Sequence, residues 1–256
     1  MMNGKQLKKI AILAPAIPPE NLGGVAIAHY HLFRIFRRNG YDARIFTFQD
    51  RSPCRETDQP NVVRAGVCGA YIKTADAMVW LWTRLLGARG ISYNLTDIFA
   101  HSAGAIRLRA ALRKFGPDVV VLPDQGAPGF FLSKSPGTKF VLIAHHNPMR
   151  FIDNPWLDDF SRADAEWAVA VENHVLKKVD LVICPSRYMR EVFLATYRYA
   201  GPAHVIPNLL DREVLDAIRP DDIRPLLGLG PQAPLVYLPA AGNPFKVKVV
   251  WVHEMH

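Results

Sequence analysis

Five short stretches of this sequence place polar residues or glycines directly after apolar runs of strand length. They are Gly23-Gly24, Asp124-Gln125-Gly126, His145-His146-Asn147, Ser186 and Asn208. Glycine lets the backbone approach a ligand closely, and N–H groups at a helix start attract an anion. The side chains of His, Asp, Gln and Asn supply hydrogen-bond donors and acceptors. These residue types predict a site for a polar ligand. The alternatives are a plain structural turn at the glycine pair and a loop-anchoring role for the histidine pair.

The segment Leu7–Tyr41 must position the glycine pair. Its apolar run, Ile10–Ala14, is short enough for a buried parallel strand, and the loop Pro15–Gly24 follows it. From Val25 the apolar spacing becomes helical, and the helix is predicted to end at Asn39-Gly40 because glycine adopts the left-handed conformation of a helix stop. The residues predicted to form its apolar face are Ile27, Leu32, Ile35 and Phe36. A strand, a glycine loop and a helix in this order are typical of the first βα unit of a Rossmann domain.

The rest of the chain repeats the alternation of strands and helices. Further strands are predicted at Asp42–Phe48, Asn61–Val67, Asp118–Leu122, Lys139–Ala144, Asp180–Cys184 and His204–Ile206. Helices are predicted at Tyr71–Gly90, Thr96–Phe115, Asp158–Lys178 and Arg187–Tyr197. This order predicts an α/β fold with a doubly wound parallel sheet. In such a sheet ligands bind beyond the C-terminal ends of the strands, so the five polar stretches are expected to converge on one edge.

The positive charge is concentrated in the first half of the chain. Residues 1–116 hold 17 Lys and Arg and 7 Asp and Glu, a net charge of +10, whereas residues 117–256 hold 14 and 16, a net charge of −2. A phosphorylated substrate, an anionic bilayer surface or nucleic acid would each match such a surface. The sequence contains no helix-turn-helix, RNA-binding aromatic strand pair or zinc-finger spacing, so nucleic acid is not expected as a partner.

Composition excludes several classes of protein. Half of the 256 residues are hydrophobic, which is ample for a core and too many for a disordered chain. No apolar run reaches the roughly 18–20 residues needed to span a bilayer, and the run before Pro15 is too short for a signal peptide. The three cysteines, Cys54, Cys68 and Cys184, share no C-x-x-C spacing. They are expected to be reduced thiols in a cytoplasmic protein.

The segment Tyr71–Gly90 is unusually apolar for a helix with basic flanks. It holds two tryptophans, Trp80 and Trp82, close to Arg84 and Arg89. An apolar helix with interfacial tryptophans and basic neighbours suits the surface of an anionic membrane. The alternative is that this helix packs against the sheet as an ordinary core helix.

Several motifs, taken in order, give the chain a family resemblance. They are Lys9-Ile-Ala-Ile-Leu, Gly23-Gly24, RRNGYDARIFTF, GPDVVVLPD, the strand ending at His145, VDLVICPSRYMREVF and HVIPNLLD. Their order and spacing over residues 7–211 resemble the N-terminal half of a retaining family 4 glycosyltransferase of the GT-B architecture, in which two Rossmann domains face each other. The resemblance implies transfer of a sugar from a nucleotide-sugar donor. One departure is Leu209, which stands where the family has Gly after Asn208.

The resemblance also assigns roles to the polar stretches. His145 matches the histidine near the transferred sugar and is the candidate catalytic residue, while His146 stands where the family usually has Asp. Gly23 and Gly24 match the loop near the donor phosphates and the acceptor. The other candidate donor- or acceptor-binding residues are Asp124, Gln125, His146, Asn147 and Asn208, whereas Ser186 matches a helix-capping serine. No metal or other cofactor is expected if arginines, lysines and helix N-termini stabilise the leaving diphosphate.

A domain division follows from the resemblance. Residues 1–206 form the N-terminal, acceptor-side Rossmann-like domain, 207–230 a linker, and 231–256 the truncated start of the domain that binds the nucleotide sugar. Leu235–Leu238 is predicted to be the first strand of that domain. Lys246 is the match for the family's donor-binding lysine, and Glu254 stands alone where the family has a Glu pair. The polypeptide is therefore expected to be inactive, or nearly so, by itself.

These observations predict a glycosyltransferase of the hexosyltransferase type that acts on a glycan or lipid-linked acceptor in the synthesis of cell-surface polysaccharide. It is expected in the cytoplasm, peripheral on the inner face of the plasma membrane, with a partner chain that supplies the second domain. One alternative is a non-catalytic module or subunit. Another is a different Rossmann-type nucleotide-binding enzyme, such as an epimerase or a dehydrogenase, although the sequence lacks G-x-G-x-x-G.

Overall fold

The computed structural model describes residues 9–18, 23–49, 61–152, 160–217, 222, 224–225 and 230–232. Within these ranges the strands are β1 (Lys9–Ala14), β2 (Asp42–Thr47), β3 (Val62–Arg64), β4 (Val119–Pro123), β5 (Lys139–Ile143), β6 (Leu181–Cys184) and β7 (Ala203–Val205). The α-helices are α1 (Gly24–Arg38), α2 (Gly69–Leu85), α3 (Tyr93–Phe115), α4 (Arg162–Leu176), α5 (Arg187–Thr196) and α6 (Arg212–Ala217). Two 3₁₀ turns lie at Pro128–Phe131 and Pro148–Phe151.

All seven described strands pair in parallel in one sheet, in the order β3-β2-β1-β4-β5-β6-β7. The central strand β1 is a near-continuous apolar run because α1 packs on one of its faces and α3 on the other. Alternate residues of β1 enter different cores: Ile10 and Ile12 pack with α1, whereas Ala11 and Leu13 pack with α3. The predicted doubly wound parallel sheet is therefore confirmed.

The helix α1 begins and ends where the sequence predicted, but its innermost face differs. The prediction placed Ile27, Leu32, Ile35 and Phe36 on the apolar face, whereas the fully buried residues are Ala26, His29 and Phe33. His29 is buried because its ring nitrogen Nδ1 lies 2.6 Å from the carbonyl oxygen of Leu13 in β1. That hydrogen bond removes much of the cost of burying a polar ring. Gly40 has a φ of 81°, as expected for the residue that stops the helix.

The helix α3 approaches the chain after β2 more closely than a side chain would allow. A Cβ atom on Gly104 would lie 1.8 Å from the carbonyl oxygen of Phe48. A glycine inside a helix costs about 1 kcal/mol relative to alanine, and here the close approach of the backbones explains it. The same helix stops at Gly116, whose φ is 62°, as the sequence predicted.

The helix α2 lies outside α3 and forms an outer layer. Only Ala75, Val79 and Thr83 of α2 are buried, and Val79 packs with Leu95 and Ile98 of α3. Most of its other apolar side chains face solvent, so α2 is not an ordinary core helix of the sheet. In the part of the chain described above, no helix combines the length and the apolar character needed to cross a bilayer.

After β7 the chain returns along the sheet edge to α1. The carboxylate of Asp211 lies 2.8 Å from Nε of Arg34 and 2.5 Å from Nη1 of Arg38. Its own N–H donates to Nδ1 of His31. These contacts fix the start of the segment that the sequence predicted as a linker. The boundaries at 206 and 230 stay predictions, and Leu235–Leu238, Lys246 and Glu254 lie outside the described residues.

Candidate functional site

The loops that leave β1 and β4 diverge at the centre of the sheet. These two strands are neighbours, and the chain proceeds outward from them in both directions. A crevice opens at such a point because the connections after the two strands run to opposite faces. Asp124 follows β4, and His145 follows β5, the next strand along. The C-terminal edge at this crevice is called the rim below.

The helix α1 begins at the rim with no side chain capping its first turn. Gly23 occupies the N-cap position with a φ of −63°, so neither its conformation nor that of the helical Gly24 requires glycine. A Cβ atom on Gly24 would meet nothing within 4 Å. Both glycines are exposed. Among the described residues nothing contacts the Cβ position of Gly24, and the partial positive charge of the helix lies at this end.

His29 and His145 bring two ring nitrogens together under the rim. Their ring centroids are 5.7 Å apart. A proton on Nδ1 of His29 donates to the Leu13 carbonyl oxygen, and with the assigned orientation of the Asn208 amide a proton on Nε2 of His145 donates to Oδ1 of Asn208 at 2.8 Å. The opposite nitrogens, Nε2 of His29 and Nδ1 of His145, are buried acceptors with no hydrogen-bond partner among the described residues.

Both rings of this pair are held in the neutral state. Burial lowers the pKa of His29 from 6.5 to about 3, and the neighbouring His145 lowers it further in the same direction. Burial also lowers the pKa of His145, opposed by its hydrogen bond to Asn208. Neutral rings with fixed tautomers present lone pairs, so the pair accepts hydrogen bonds from hydroxyl groups.

Asp124 anchors the loop after β5 to the loop after β4. Its carboxylate oxygens accept from the N–H groups of Gln125 at 2.8 Å and of His146 at 2.6 Å. Burial raises the pKa of Asp124 from 3.8 to about 7, against these hydrogen bonds and the charge of Arg150, which lower it. The carboxyl group holds both loops in register and positions His145 through its neighbour.

His146 is positioned by a hydrogen-bond relay that starts in α4. Asp164 accepts from the N–H groups of Asn94 and Leu95 and so caps the start of α3. The amide nitrogen of Asn94 donates to Asp164 at 3.0 Å, and the amide oxygen of Asn94 lies 3.0 Å from Nε2 of His146. Burial lowers the pKa of His146 to about 3, with the charge of Arg150 adding to the effect. The ring is therefore neutral and donates from Nε2.

Asn147 was predicted to bind the ligand, but both atoms of its amide group form hydrogen bonds within the protein. Its oxygen accepts from the N–H of Met149, and its nitrogen donates to Oγ1 of Thr196. The side chain is 1% exposed. It therefore ties the loop after β5 to the end of α5. Ser186 likewise caps α5 by accepting from the N–H of Met189, as the sequence predicted.

The comparisons with known proteins agree with this geometry. A sequence profile of the family described as Glycosyltransferase Family 4 matches residues 22–214, which include every rim residue named above. The chain belongs to this family. A search of curated proteins finds no match.

Among solved structures, the chain is similar to sucrose-phosphate synthase from Thermosynechococcus elongatus, with a TM-score of 0.52 and 17% identity. That match covers 87% of this chain and 53% of the other, so the chain spans about half the length of this relative. A second structure of the same synthase matches with a TM-score of 0.43 and 15% identity, over 81% of this chain and 93% of that one. The prediction of a Rossmann-like fold that corresponds to the N-terminal half of a GT-B enzyme is confirmed.

In this family 4 chain, α3 brings to the rim polar residues that the sequence analysis missed. Oδ1 of Asp97 and Nδ1 of His101 are 3.2 Å apart, and Nε2 of Gln49 lies 3.1 Å from the same His101 nitrogen. Gln125 hydrogen-bonds Asp97, yet burial raises the Asp97 pKa from 3.8 to about 7. Burial lowers the pKa of His101 to about 3. Predicted Gln125 thus reaches the rim as part of a cluster with Asp97.

The loop after β4 takes a constrained conformation where it meets this cluster. Gly126 has a φ of 69°, and a Cβ atom there would lie 2.8 Å from Nδ1 of His101. Ala127 follows with a φ of 41°, the one described non-glycine residue with positive φ. Left-handed backbone in a buried alanine is uncommon and is often found at functional sites. The constraint fixes Gln125 against α3.

The four residues predicted to contact a membrane lie on or just after α2, away from the histidine pair. Trp80 is 60% exposed, and the guanidinium of Arg84 lies 5.9 Å from the centre of its ring. Trp82 stacks on Trp167 of α4 with ring centroids 5.1 Å apart. Arg89 is exposed. Among the described residues, no three His, Cys, Asp or Glu side chains lie close enough to hold a metal ion.

Proposed function

We propose that this chain is the acceptor-side domain of a glycosyltransferase that moves a sugar from a nucleotide-sugar donor to a glycan or lipid-linked acceptor. The observation that carries this proposal is the pair of buried nitrogens, Nε2 of His29 and Nδ1 of His145, that have no hydrogen-bond partner among the described residues. A buried acceptor without a partner costs about 1–3 kcal/mol. A sugar hydroxyl would relieve that cost by donating to it.

In the proposed transfer, the residues of the rim have different roles. As the bond between the sugar and the diphosphate breaks, negative charge develops on the leaving group, and preorganised donors stabilise it. The uncapped N–H groups of α1 are such donors, and neutral His145 orients the sugar through its hydroxyl groups. Asp124, Gln125, His146 and Asn208 hold the loops that carry these groups. No step in this scheme needs a metal ion.

An apolar face of the sheet supports the proposal that a second domain completes the site. On the α1 side, a cleft of about 290 Å³ lies over β4, β5 and β6, with Val121, Ile143 and Ile183 in its floor. His145 and Asn208 also line this cleft. A doubly wound sheet buries both faces. We propose that the donor-binding half of the enzyme, in this polypeptide or in a partner chain, packs over this cleft, and that the domain described here is nearly inactive alone.

The histidine pair provides the test of the site. Nitrogen-15 NMR of the imidazole rings should show a proton on Nδ1 of His29 and on Nε2 of His145. Addition of uridine or guanosine diphosphate sugars, or of free acceptor sugars, should shift the two unprotonated nitrogens, while exposed His204 on β7 serves as the internal control. If no sugar moves either signal at millimolar concentration, the proposed site is wrong. A transfer assay on the purified chain should give almost no turnover, and turnover typical of a two-domain enzyme would contradict the need for a second domain.

A second proposal concerns the surface of α2, which we propose rests on an anionic membrane at the inner face of the cell. Its most exposed apolar residues are Met78, Trp80, Leu81, Leu85 and Leu86, at 53–76% exposure. Exposed apolar patches of this kind mark interaction sites, and Arg84 and Arg89 beside it favour anionic headgroups. The chain should sediment with anionic but not neutral vesicles, and added salt should weaken the binding.

The double variant Trp80→Gln, Leu85→Gln removes the apolar contact and should abolish sedimentation. The double variant Tyr188→Gln, Leu194→Gln, on exposed positions of α5, is the matched control and should sediment like the natural chain. Equal binding by both variants would show that α2 does not contact the bilayer.

A further inference from the structure

A groove between α2 and α3 is an apolar cleft that opens to solvent. Its volume is about 400 Å³, within the range of small-molecule sites. The lining residues are Tyr71, Thr74, Ala75, Met78, Val79, Trp82 and Phe99. Met78 is 66% exposed and Phe99 41%. These side chains would be expected in a core or against a ligand.

The two hydroxyl groups in this lining, those of Tyr71 and Thr74, are already satisfied within the protein. The hydroxyl of Tyr71 lies 2.6 Å from Oγ of Ser102 and donates to the carbonyl oxygen of Phe99. The hydroxyl of Thr74 donates to the carbonyl oxygen of Ala70 at 2.9 Å. Apart from the indole N–H of Trp82, the polar side-chain groups of the lining are paired within the protein. The surface of the groove fits hydrocarbon and discriminates against sugars, nucleotides and peptide backbone, which would lose hydrogen bonds to water there.

The groove is long and points toward the rim. From Tyr71 to Trp82 the helix α2 advances about 16 Å at 1.5 Å per residue. Tyr71 contacts Ser102 at the inner end, whereas Trp82 stacks on Trp167 at the other end. Trp167 is about one turn of α4 beyond Asp164, which caps α3 at Asn94. The outer end of the groove therefore lies at the end of α3 that contacts His146.

Basic side chains outnumber acidic ones beside the outer end, where the exposed Glu166 of α4 is next to Trp167. Arg84 and Arg89 follow Trp82 within the next seven residues, and both are exposed. The helix α2 carries one acidic residue, Asp76, one turn or more from that end. A ligand with a hydrocarbon chain in the groove would place its head group near these arginines. Charge complementarity thus favours an anionic head group over a neutral one.

We propose that this groove binds the hydrocarbon chain of a single-chain anionic amphiphile, a prenyl or acyl phosphate type of lipid, whose head group lies at the rim end of α3. This inference rests on the proposed function in one respect, because it assigns the acceptor to the lipid-linked class. It differs from the membrane contact of α2, since a chain in the groove leaves the bilayer and packs against protein. The two surfaces share Met78, but Trp80, Leu81 and Leu85 do not line the groove.

Displacement of a fluorescent fatty acid from the full chain tests the proposal without any nucleotide sugar. Dodecyl phosphate, below its micelle concentration, should displace the probe, butyl phosphate should be at least 100-fold weaker, and dodecanol should be weaker than dodecyl phosphate. Thr74→Trp fills the groove from an exposed position and should weaken binding at least tenfold. Ala77→Trp adds the same ring to an exposed position of α2 outside the groove and should bind within twofold of the natural chain.

A second variant tests the groove independently in case Thr74→Trp does not fold. Phe99→Gln removes one apolar wall and should weaken probe binding, with circular dichroism confirming that each variant is folded. If the natural chain binds no probe, or if Thr74→Trp binds as tightly as Ala77→Trp, the proposal is overturned. Vesicle sedimentation of Thr74→Trp should stay as in the natural chain, and equal loss of vesicle and probe binding would assign the chain to the bilayer surface instead. Because these measurements need no sugar transfer, their failure would leave the histidine site unaffected.

Discussion

Replacing Asp97 with Asn should change how the stability of the protein depends on pH. Asp97 lies in α3 against His101 and Gln125, with its side chain 14% exposed. Burial raises its pKa from 3.8 to about 7. A carboxyl group with a raised pKa in the folded state binds a proton there at pH values where the unfolded chain has released it. Folding stability therefore falls as the pH rises from about 4 to about 7.

The magnitude follows from the shift of the Asp97 pKa. One pKa unit is worth 1.36 kcal/mol, so the rise from 3.8 to about 7 corresponds to about 4 kcal/mol of destabilisation above pH 7. Asn keeps the shape and a hydrogen-bond acceptor but carries no charge. The variant should match the natural protein near pH 4 and exceed its stability by about 4 kcal/mol at pH 8, with the difference growing by about 1.4 kcal/mol per pH unit between them.

Urea denaturation followed by circular dichroism at four pH values between 4 and 8 measures this difference. The slope of unfolding free energy against urea should be the same in both proteins, since the surface exposed on unfolding does not change. Asp216→Asn, on exposed α6 with its side chain 67% exposed, is the control for removing one negative charge. Parallel pH profiles for the natural protein and Asp97→Asn would refute the reasoning, because they would mean that Asp97 titrates alike in the folded and unfolded states.

Two substitutions test the packing that positions the rim. Gly104→Ala should destabilise the protein by about 3 kcal/mol or more despite the better helix propensity of alanine, because the added Cβ would meet the Phe48 carbonyl oxygen at 1.8 Å. The control Gly69→Ala, where a Cβ meets nothing within 4 Å, should be neutral. Equal melting temperatures for the two variants would contradict the close approach. Asp164→Ala should lower the free energy of unfolding by roughly 2–4 kcal/mol, because it leaves the N–H groups at the start of α3 unsatisfied. It should also broaden the NMR signal of His146. A loss of stability with an unchanged His146 signal would show that the relay through Asn94 does not position that ring.

The sheet could be predicted because each strand is marked by a pattern of neighbouring residues in the sequence. Apolar runs such as Ile10–Ala14, bounded by Lys9 and Pro15, can be recognised from the local sequence as buried strands. Their alternation with helices then leaves few topologies. The convergence of the loops after β1, β4 and β5 follows from that topology alone. The order of the strands places His145 within reach of α1, as the sequence analysis expected.

The sequence did not predict the contacts made by residues of two helices, because these depend on packing. On α1 the apolar residues suggested a face through Ile27 and Leu32, but His29 faces inward because a carbonyl oxygen of β1 is available to it. On α3 the residues Asn94, Asp97 and His101 recur every three or four positions, the spacing of one helix face. That polar stripe was a usable signal. The stripe does not stand out in the sequence, because α3 is buried on most sides and its apolar residues are therefore spread around the helix.

The histidine pair argues for a ligand more strongly than any single residue of the rim. A structural histidine is satisfied when both nitrogens have partners, and His29 and His145 each use one nitrogen to hold a fixed tautomer against Leu13 and Asn208. The remaining nitrogens are both acceptors, so they cannot hydrogen-bond each other even though the rings are 5.7 Å apart. We propose that these two buried acceptors bind a donor that arrives from outside, and a sugar hydroxyl is a donor of that kind.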